Sequence, residues 1–324
     1  MSSVGGRVHS TRHTPEDTRH STPDMPKTVT RSALGRYLDS RILSQLMRLR
    51  LNPRGRVLGD LSGDHKSPLS GFAVEFAGHR EYVPGDDPKY IDWVAYYKHE
   101  RYYIKQFEAE TNMKAYLLLD ASASMDYGDA HHNKWEYASF LCATLSHLVV
   151  SKRDKAGFGL FDDEVIHFMP PSQSRLQVQK VDELLCDRTP RDKTDLGRVL
   201  GEFAPRLGKS GLVMVISDCF DDVTSLLRGL QRLRYDRHDV VLFHILHRDE
   251  LSFPFEGNIR FDGIEESGSV RTDAQQIRAA YQRSLSAYLE LLTRGCERIQ
   301  VEYVLMDTSV PIEISLAQYL AGRS

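Results

Sequence analysis

Asp120, Ser122 and Ser124 place one carboxylate and two hydroxyls at alternate positions in the run DASASM (120–125). The residues just before them, AYLLLD (115–120), are compact and apolar and predict a strand buried on both faces. Side chains at i, i+2 and i+4 in the loop after such a strand can converge on a single point. Oxygen-only donors select a hard divalent cation, and Mg²⁺ typically holds few protein groups and several waters. Thr194 in DKTDL (192–196) and Asp218 in VISDCF (215–220) offer two more oxygens on loops expected at the same sheet edge. The expected ligand set for Mg²⁺ or Mn²⁺ is therefore Asp120, Ser122, Ser124, Thr194 and Asp218.

A plainer role competes at each position. Ser and Asp favour helix N-caps, so DASASM could be a polar loop, and either Thr194 or Asp195 could cap a helix starting near Leu196. Asp221 and Asp222 read first as a solvated acidic loop and second as added negative field. A different chemistry would use Asp120 as the nucleophile of a metal-dependent, phosphatase-like hydrolase. Enzymes of the haloacid dehalogenase type need a second Asp two residues on as acid/base, and Ser122 stands there. No GxxxxGK[ST] loop is present, so ATP hydrolysis is not expected of this chain.

Two further clusters carry titratable groups. The block from Gly59 to Trp93 holds Asp64, His65, Glu75, His79, Arg80, Asp86, Asp87 and Asp92 among Gly and Pro residues. Its spacing matches no catalytic signature, and the residues are expected to fix the shape of a turn-rich module, with a partner-facing surface as the second reading. Lys98, His99, Arg101 and Lys105 alternate with Tyr96, Tyr97, Tyr102 and Tyr103. Stacking plus charge could bind nucleic acid, yet Glu100, Glu108 and Glu110 dilute the cluster, and alternation suits strands with one wet face. No nucleic-acid partner is expected.

The elements that must position these groups follow from periodicity. Apolar residues recur at three- and four-residue steps from Leu34 to Leu49, giving a helix that ends before Pro53. Helices are expected near 133–152, 174–186, 195–207, 223–234, up to about 297, and 311–322. Buried strands are expected at 115–120, 211–218, 239–246 and 299–307, with two strands across KAGFGLFDDEVIHFMP (155–170) and a hairpin within 257–272. Strands alternating with long helices predict an α/β fold, a doubly wound and mostly parallel sheet, preceded by a smaller turn- and strand-rich module. Ligands of such sheets bind at the carboxyl ends of the strands, where strand order reverses. Two expected strands end there in Asp, at Asp120 and Asp218.

The chain has 324 residues, a length suited to about two domains. Residues 1–28 are polar and Pro-rich and read as a disordered tail, with a module over 29–113 and the main domain over 114–324. With 42 Lys and Arg against 45 Asp and Glu, the net charge of -3 excludes a generally cationic nucleic-acid coat. The cysteines Cys142, Cys186, Cys219 and Cys296 form no CxxC pair, which argues against a thiolate zinc site and for thiols in a reducing compartment. No apolar run is long enough for a membrane span, and the N-terminus lacks a secretion signal, so a cytoplasmic location is expected.

The ordered set Asp120, Ser122, Ser124, Thr194 and Asp218 resembles the metal-ion-dependent adhesion site (MIDAS) of von Willebrand factor A domains, D-x-S-x-S followed by Thr and Asp. GDHKSP (63–68), EF (75–76), HREYVPGDDPKYIDW (79–93) and IKQFEAET (104–111), ahead of LLLDASASM (117–125), are similar to the bacterial family catalogued as "domain of unknown function 58". That resemblance runs from about residue 35 to the C-terminus and is to a short form without preceding membrane helices. It implies a von Willebrand factor A-like fold and a non-enzymatic, Mg²⁺-dependent protein-interaction module. Such a module would work, chaperone-like, beside a MoxR-type AAA+ ATPase in assembling or activating a client protein. In such sites the hydroxyls ligate directly or through water, and the carboxylates often act through water. The ion then stays electron-poor and takes an acidic residue from the partner.

Overall fold

The computed structural model describes residues 6–8, 35–46, 74–109, 113–129, 133–191, 195–208, 210–263 and 269–323. Thr194, Asp64 and His65 lie outside them, as do the rest of the expected tail and the ends of the helix expected over 34–49. Within residues 1–28, Gly6–Val8 forms a short strand, β1. The chain divides into two compact units, Leu58–Asn112 and the remainder, Met1–Val57 with Met113–Ser324.

In the smaller unit Val74–Glu81 (β2) pairs antiparallel with Tyr103–Ala109 (β3), with a register shift between Phe76 and Gly78. The Arg80 guanidinium grips Asp86 with two bonds of 2.6 and 2.7 Å, and the Asp86 carboxylate also accepts from Val83 N, closing the turn between them. The alternating tyrosines suggested strands throughout 96–105, and the first part of that run is instead helical. Asp92 accepts hydrogen bonds from the amides of Val94 and Ala95, which caps a helix over Trp93–His99. Glu100 ends that helix in the left-handed region, at φ 55°. A capping carboxylate thus overrides a strand-like pattern of side chains.

The larger unit carries the sheet. Its strands are Lys114–Asp120 (β4), Lys155–Phe161 (β5), Val165–Ser172 (β6), Gly211–Ser217 (β7), His238–Leu246 (β8) and Glu302–Asp307 (β11). They lie in the order β11-β8-β7-β4-β5-β6. All neighbours are parallel except β5 and β6, the two strands joined by the turn at Asp162 and Asp163. The chain leaves β4 toward β5 and β6, then returns to the other side of β4 with β7. The reversal of strand order therefore falls between β4 and β7, the place where doubly wound sheets open a crevice.

Helices cover both faces. The main unit's helices are Ser40–Leu46 (α1), Lys134–Ser151 (α3), Arg175–Asp187 (α4), Leu196–Phe203 (α5), Val223–Tyr235 (α6), Arg248–Ser252 (α7), Ala274–Arg298 (α8) and Ile312–Ala321 (α9), with Trp93–His99 of the smaller unit as α2. Leu117 and Leu119 of β4 pack with Met214, Phe243, Leu141 of α3, Val181 of α4 and Leu316 of α9. Leu118 points the other way, into Val215, Leu200 of α5, Leu230 of α6 and Leu292 of α8. This alternation between two apolar layers is what a two-sided buried strand requires. The expected hairpin is present as Asn258–Gly263 (β9) and Ser269–Asp273 (β10), with β1 added along the free side of β9.

Helix α1, expected within a module spanning 29–113, belongs with the larger unit. Asp182 of α4 accepts from the amides of Arg36 and Tyr37 at 3.0 and 2.7 Å, and Tyr37, Leu38, Leu43 and Leu46 are buried in the core. Gly35 precedes them at φ +140°, and a Cβ there would stand 2.5 Å from the Asp182 carboxylate. Only glycine allows the main chain to approach Asp182 so closely.

Candidate functional site

The ends of β4 and β7 are neighbours, with Leu119 opposite Ile216, so the carboxylates of Asp120 and Asp218 flank the reversal of strand order. Both are buried, as are Ser122 and Ser124. Asp120 accepts from Ser122 N at 2.9 Å through Oδ1 and from Ser217 Oγ at 2.6 Å through Oδ2. The hydroxyls of Ser122 and Ser124 stand 3.0 Å apart. A turn of 3-10 helix over Ala123–Asp126 brings Ser124 back toward Ser122. Burial, and then the charge of Asp218, push the Asp120 carboxyl up to about 7.

Asp218 is held by a lysine. Lys134 Nζ donates to Asp218 Oδ2 at 2.7 Å and to Glu250 Oε1 at 2.9 Å, with the lysine side chain only 1% exposed. Its ammonium also lies over the rings of Tyr127 and Phe220, at 5.7 and 4.9 Å from their centroids. Burial works against the ammonium, and the two carboxylates outweigh it, so its pKa stays above the ordinary lysine value. Glu250 uses its other oxygen to accept from His247 N at 2.7 Å, completing a capping box at the start of α7. Tyr281 of α8 donates to the Glu250 carbonyl at 2.9 Å.

The expected ligands thus fall into two groups. Asp120, Ser122, Ser124 and Asp218 come together at the carboxyl ends of β4 and β7. Thr194 lies outside the described residues, but the chain on either side of it is tied to this edge. Arg191 N donates to the carbonyl of Ala121 at 2.9 Å, and Leu196 N donates to Asp221 Oδ2 at 2.7 Å. Asp195 caps α5 through Arg198 N, and Asp222 caps α6 through Ser225 N. Asp221 and Asp222 therefore act in local structure, and neither is a merely solvated acid.

Among the described residues no three His, Cys, Asp or Glu side chains are grouped to hold a metal ion. The donors gathered here are of another kind, two carboxylates with two hydroxyls. Such oxygens suit a hard divalent ion and give a soft ion nothing to bind. Neither Lys134 nor Glu250 stands out in the sequence. A lysine that opens a helix reads as solvated, and Glu250 follows a His rather than the Ser or Thr of the usual capping box.

Elsewhere, the smaller unit has a cleft of about 300 Å³ lined by His79, Asp92, Lys98, His99 and Tyr103, among others. His79 Nε2 lies 2.7 Å from Asp92 Oδ2, and this contact, with the α2 amides, holds the Asp92 carboxyl down to about 2. Of the basic residues interleaved with tyrosines, Lys105 lies 3.7 Å from Asp92, and Arg101 lies 3.2 Å from Glu81. Cys142, Cys219 and Cys296 are buried free thiols, and Cys186 is half-buried. Among the described residues no helix is long and apolar enough to cross a membrane.

A family model described as protein of unknown function DUF58 matches residues 78–288, well over half of the chain. The chain belongs to that family. It is 24% identical over 236 residues to the uncharacterized protein Rv1480 of Mycobacterium tuberculosis, covering 72% of this chain and 74% of that one. The same identity and coverage hold for the uncharacterized protein Mb1516 of Mycobacterium bovis. Among solved structures, the conserved hypothetical protein BatB from Bacteroides thetaiotaomicron aligns with 66% of this chain and all of its own, at 16% identity and a TM-score of 0.44. The SpRpn10 VWA domain aligns with 66% of this chain and 96% of its own, at 12% identity and a TM-score of 0.39. This DUF58 chain has the doubly wound α/β architecture of a von Willebrand factor A-like domain, by its own strand order and by the helices on both faces.

Proposed function

We propose that this DUF58 chain is a non-enzymatic protein-interaction module whose binding depends on Mg²⁺ or Mn²⁺ at Asp120, Ser122, Ser124, Thr194 and Asp218. The observation that carries this reading is the state of the two carboxylates at the β4–β7 crevice. Each Asp120 oxygen accepts one hydrogen bond, from Ser122 N and from Ser217 Oγ, and one Asp218 oxygen accepts from Lys134 Nζ. The side chains left to face an ion are then mainly hydroxyls, which neutralise little of its charge. An ion held by Ser122 and Ser124, with water completing its shell, would favour one more acidic oxygen, and a partner's Asp or Glu supplies it. In this role the ion joins two proteins and performs no chemistry.

The same observation speaks against the hydrolase reading. A nucleophilic Asp120 needs a free oxygen aimed at substrate and a general acid beside it. Each of its oxygens already accepts a hydrogen bond, which lowers its nucleophilicity, and Ser122 occupies the acid's position. The partner class follows from the family resemblance: a MoxR-type AAA+ ATPase, together with a client protein that this chain presents to it or receives from it. The test is binding of the purified ATPase and of candidate clients to the full chain, in Mg²⁺, in EDTA, and with Asp120→Ala. Binding retained only by the wild type in Mg²⁺ is expected. Binding that persists in all three conditions removes the metal from the interface, and turnover of a phosphate ester abolished by Asp120→Asn would replace the proposal with the hydrolase.

A further inference from the structure

Lys134 is the only fully buried lysine among the described residues, and it sits against the candidate metal site rather than in a remote part of the core. An ammonium leaves water at high cost unless its charge is matched and its protons are accepted. Here both conditions are met by Asp218 and Glu250, with Tyr127 and Phe220 as walls. The lysine's place is fixed by the backbone, because it opens α3 directly after Asn133, whose side chain caps the helix through Glu136 N. Its own amide donates to the Tyr127 carbonyl at 3.0 Å. The ammonium is thus a fixture of the fold.

Its contact with Asp218 has a consequence for any cation at Asp120, Ser122 and Ser124. Asp218 Oδ2 is occupied by Nζ at 2.7 Å, and among the described residues Oδ1 has a long contact of 3.4 Å with Phe220 N. When ionised, the three carboxylates Asp120, Asp218 and Glu250 with the one ammonium carry a net charge of two minus, which one divalent cation would cancel. The ammonium and that cation compete for the same carboxylate.

We propose that Lys134 is a positioning residue, a resident counter-ion that holds Asp218 back from the divalent cation and keeps that cation weakly bound and short of negative charge. This rests on the metal reading above and deepens it. Glu250 is the other half of the device: it shares the ammonium, so Lys134 is drawn only partly onto Asp218. The lysine sets how much of Asp218 the cation receives, and so how strongly the cation calls for a carboxylate from outside.

The experiment is Mn²⁺ titration of the full chain, followed by the loss of the free-ion electron paramagnetic resonance signal, with near-ultraviolet circular dichroism to confirm packing. The decisive variant is Lys134→Met with Glu250→Gln. It removes one positive and one negative charge together, so the net charge of the cluster is unchanged and only Asp218 is released. Side-chain volumes are nearly conserved, and the double variant leaves one unmatched carboxylate, Asp218, where Lys134→Met alone would leave two. We expect Mn²⁺ to bind at least about tenfold more tightly than to the wild type.

Equal or weaker binding by the folded double variant overturns the proposal. If the wild type binds no Mn²⁺ and the double variant does, the role of Lys134 stands and the metal reading of the native chain falls; if neither binds, both fall. Glu250→Gln alone serves if the double variant does not fold. It leaves the ammonium wholly on Asp218 and also takes one negative charge from the cluster, so Mn²⁺ binding should weaken several-fold, and unchanged or tighter binding refutes the role given to Lys134.

Discussion

Replacing Asp120 by Asn should change how the metal-free protein responds to pH. The buried Asp120 carboxyl titrates near 7 in the fold against an ordinary value of 3.8, chiefly because burial and then the Asp218 charge disfavour its ionised form. A raised carboxyl contributes stability below its unfolded pKa and loses it as pH climbs through the folded one. At pH 5 the ratio of the two proton-binding terms is about a hundredfold, or about 3 kcal/mol, and by pH 8 it has vanished. His244 pulls the other way. Burial lowers its pKa from 6.5 to about 4, so its contribution is present above 6.5 and is lost as pH falls toward 4, by about 2 kcal/mol at pH 5. At pH 5 these two contributions are opposite in sign and similar in size. The difference between wild type and Asp120→Asn isolates the carboxyl, because His244 is common to both. Urea midpoints followed by circular dichroism in EDTA, from pH 5 to pH 8, provide the assay. The variant should gain about 3 kcal/mol on the wild type across that range. A difference that stays flat with pH refutes the claim that Asp120 is buried against a second negative charge.

The other outcomes concern stability. Lys134→Met alone strands Asp218 and Glu250 as unmatched buried carboxylates and should cost about 3–5 kcal/mol in urea melts. Arg323→Ala should cost several kcal/mol for the same reason, roughly 3, since its buried guanidinium lies 2.5 Å from Glu302 and 3.4 Å from Asp239. A Cβ on Gly197 of α5 would run into the backbone of Ser225 in α6, so Gly197→Ala should lower the thermal midpoint through a loss of about 1–3 kcal/mol. A rise in stability for any of these three would contradict the packing described.

What the sequence makes legible follows from how local each signal is. AYLLLD and GLVMVISD declare themselves as strands because both faces are buried and each run is apolar up to its polar end, Asp120 in one and Ser217–Asp218 in the other. Their terminal acids point to the crevice because strand direction and α/β alternation place those ends together. The turn at Asp162 and Asp163, the hairpin and the long α8 are equally local. The short helices α2 and α7 are not, because they depend on capping side chains, Asp92 for α2 and His247 with Glu250 for α7, whose partners are backbone amides rather than a periodic pattern. Lys134 is the least legible residue of the site. Its burial is created by residues 84 and 116 positions away, and nothing in its neighbourhood along the chain distinguishes it from a solvated lysine.

The most direct test of the account is a calorimetric titration of the EDTA-stripped, dialysed full chain with Mg²⁺, beside Ser122→Ala/Ser124→Ala. The hydroxyls are the donors that separate this site from an ordinary acidic loop, and their removal leaves Asp120 and Asp218 in place. One saturable Mg²⁺ site is expected in the wild type and none in the double alanine variant. No saturable binding by the wild type, or equal binding by both proteins, would contradict it.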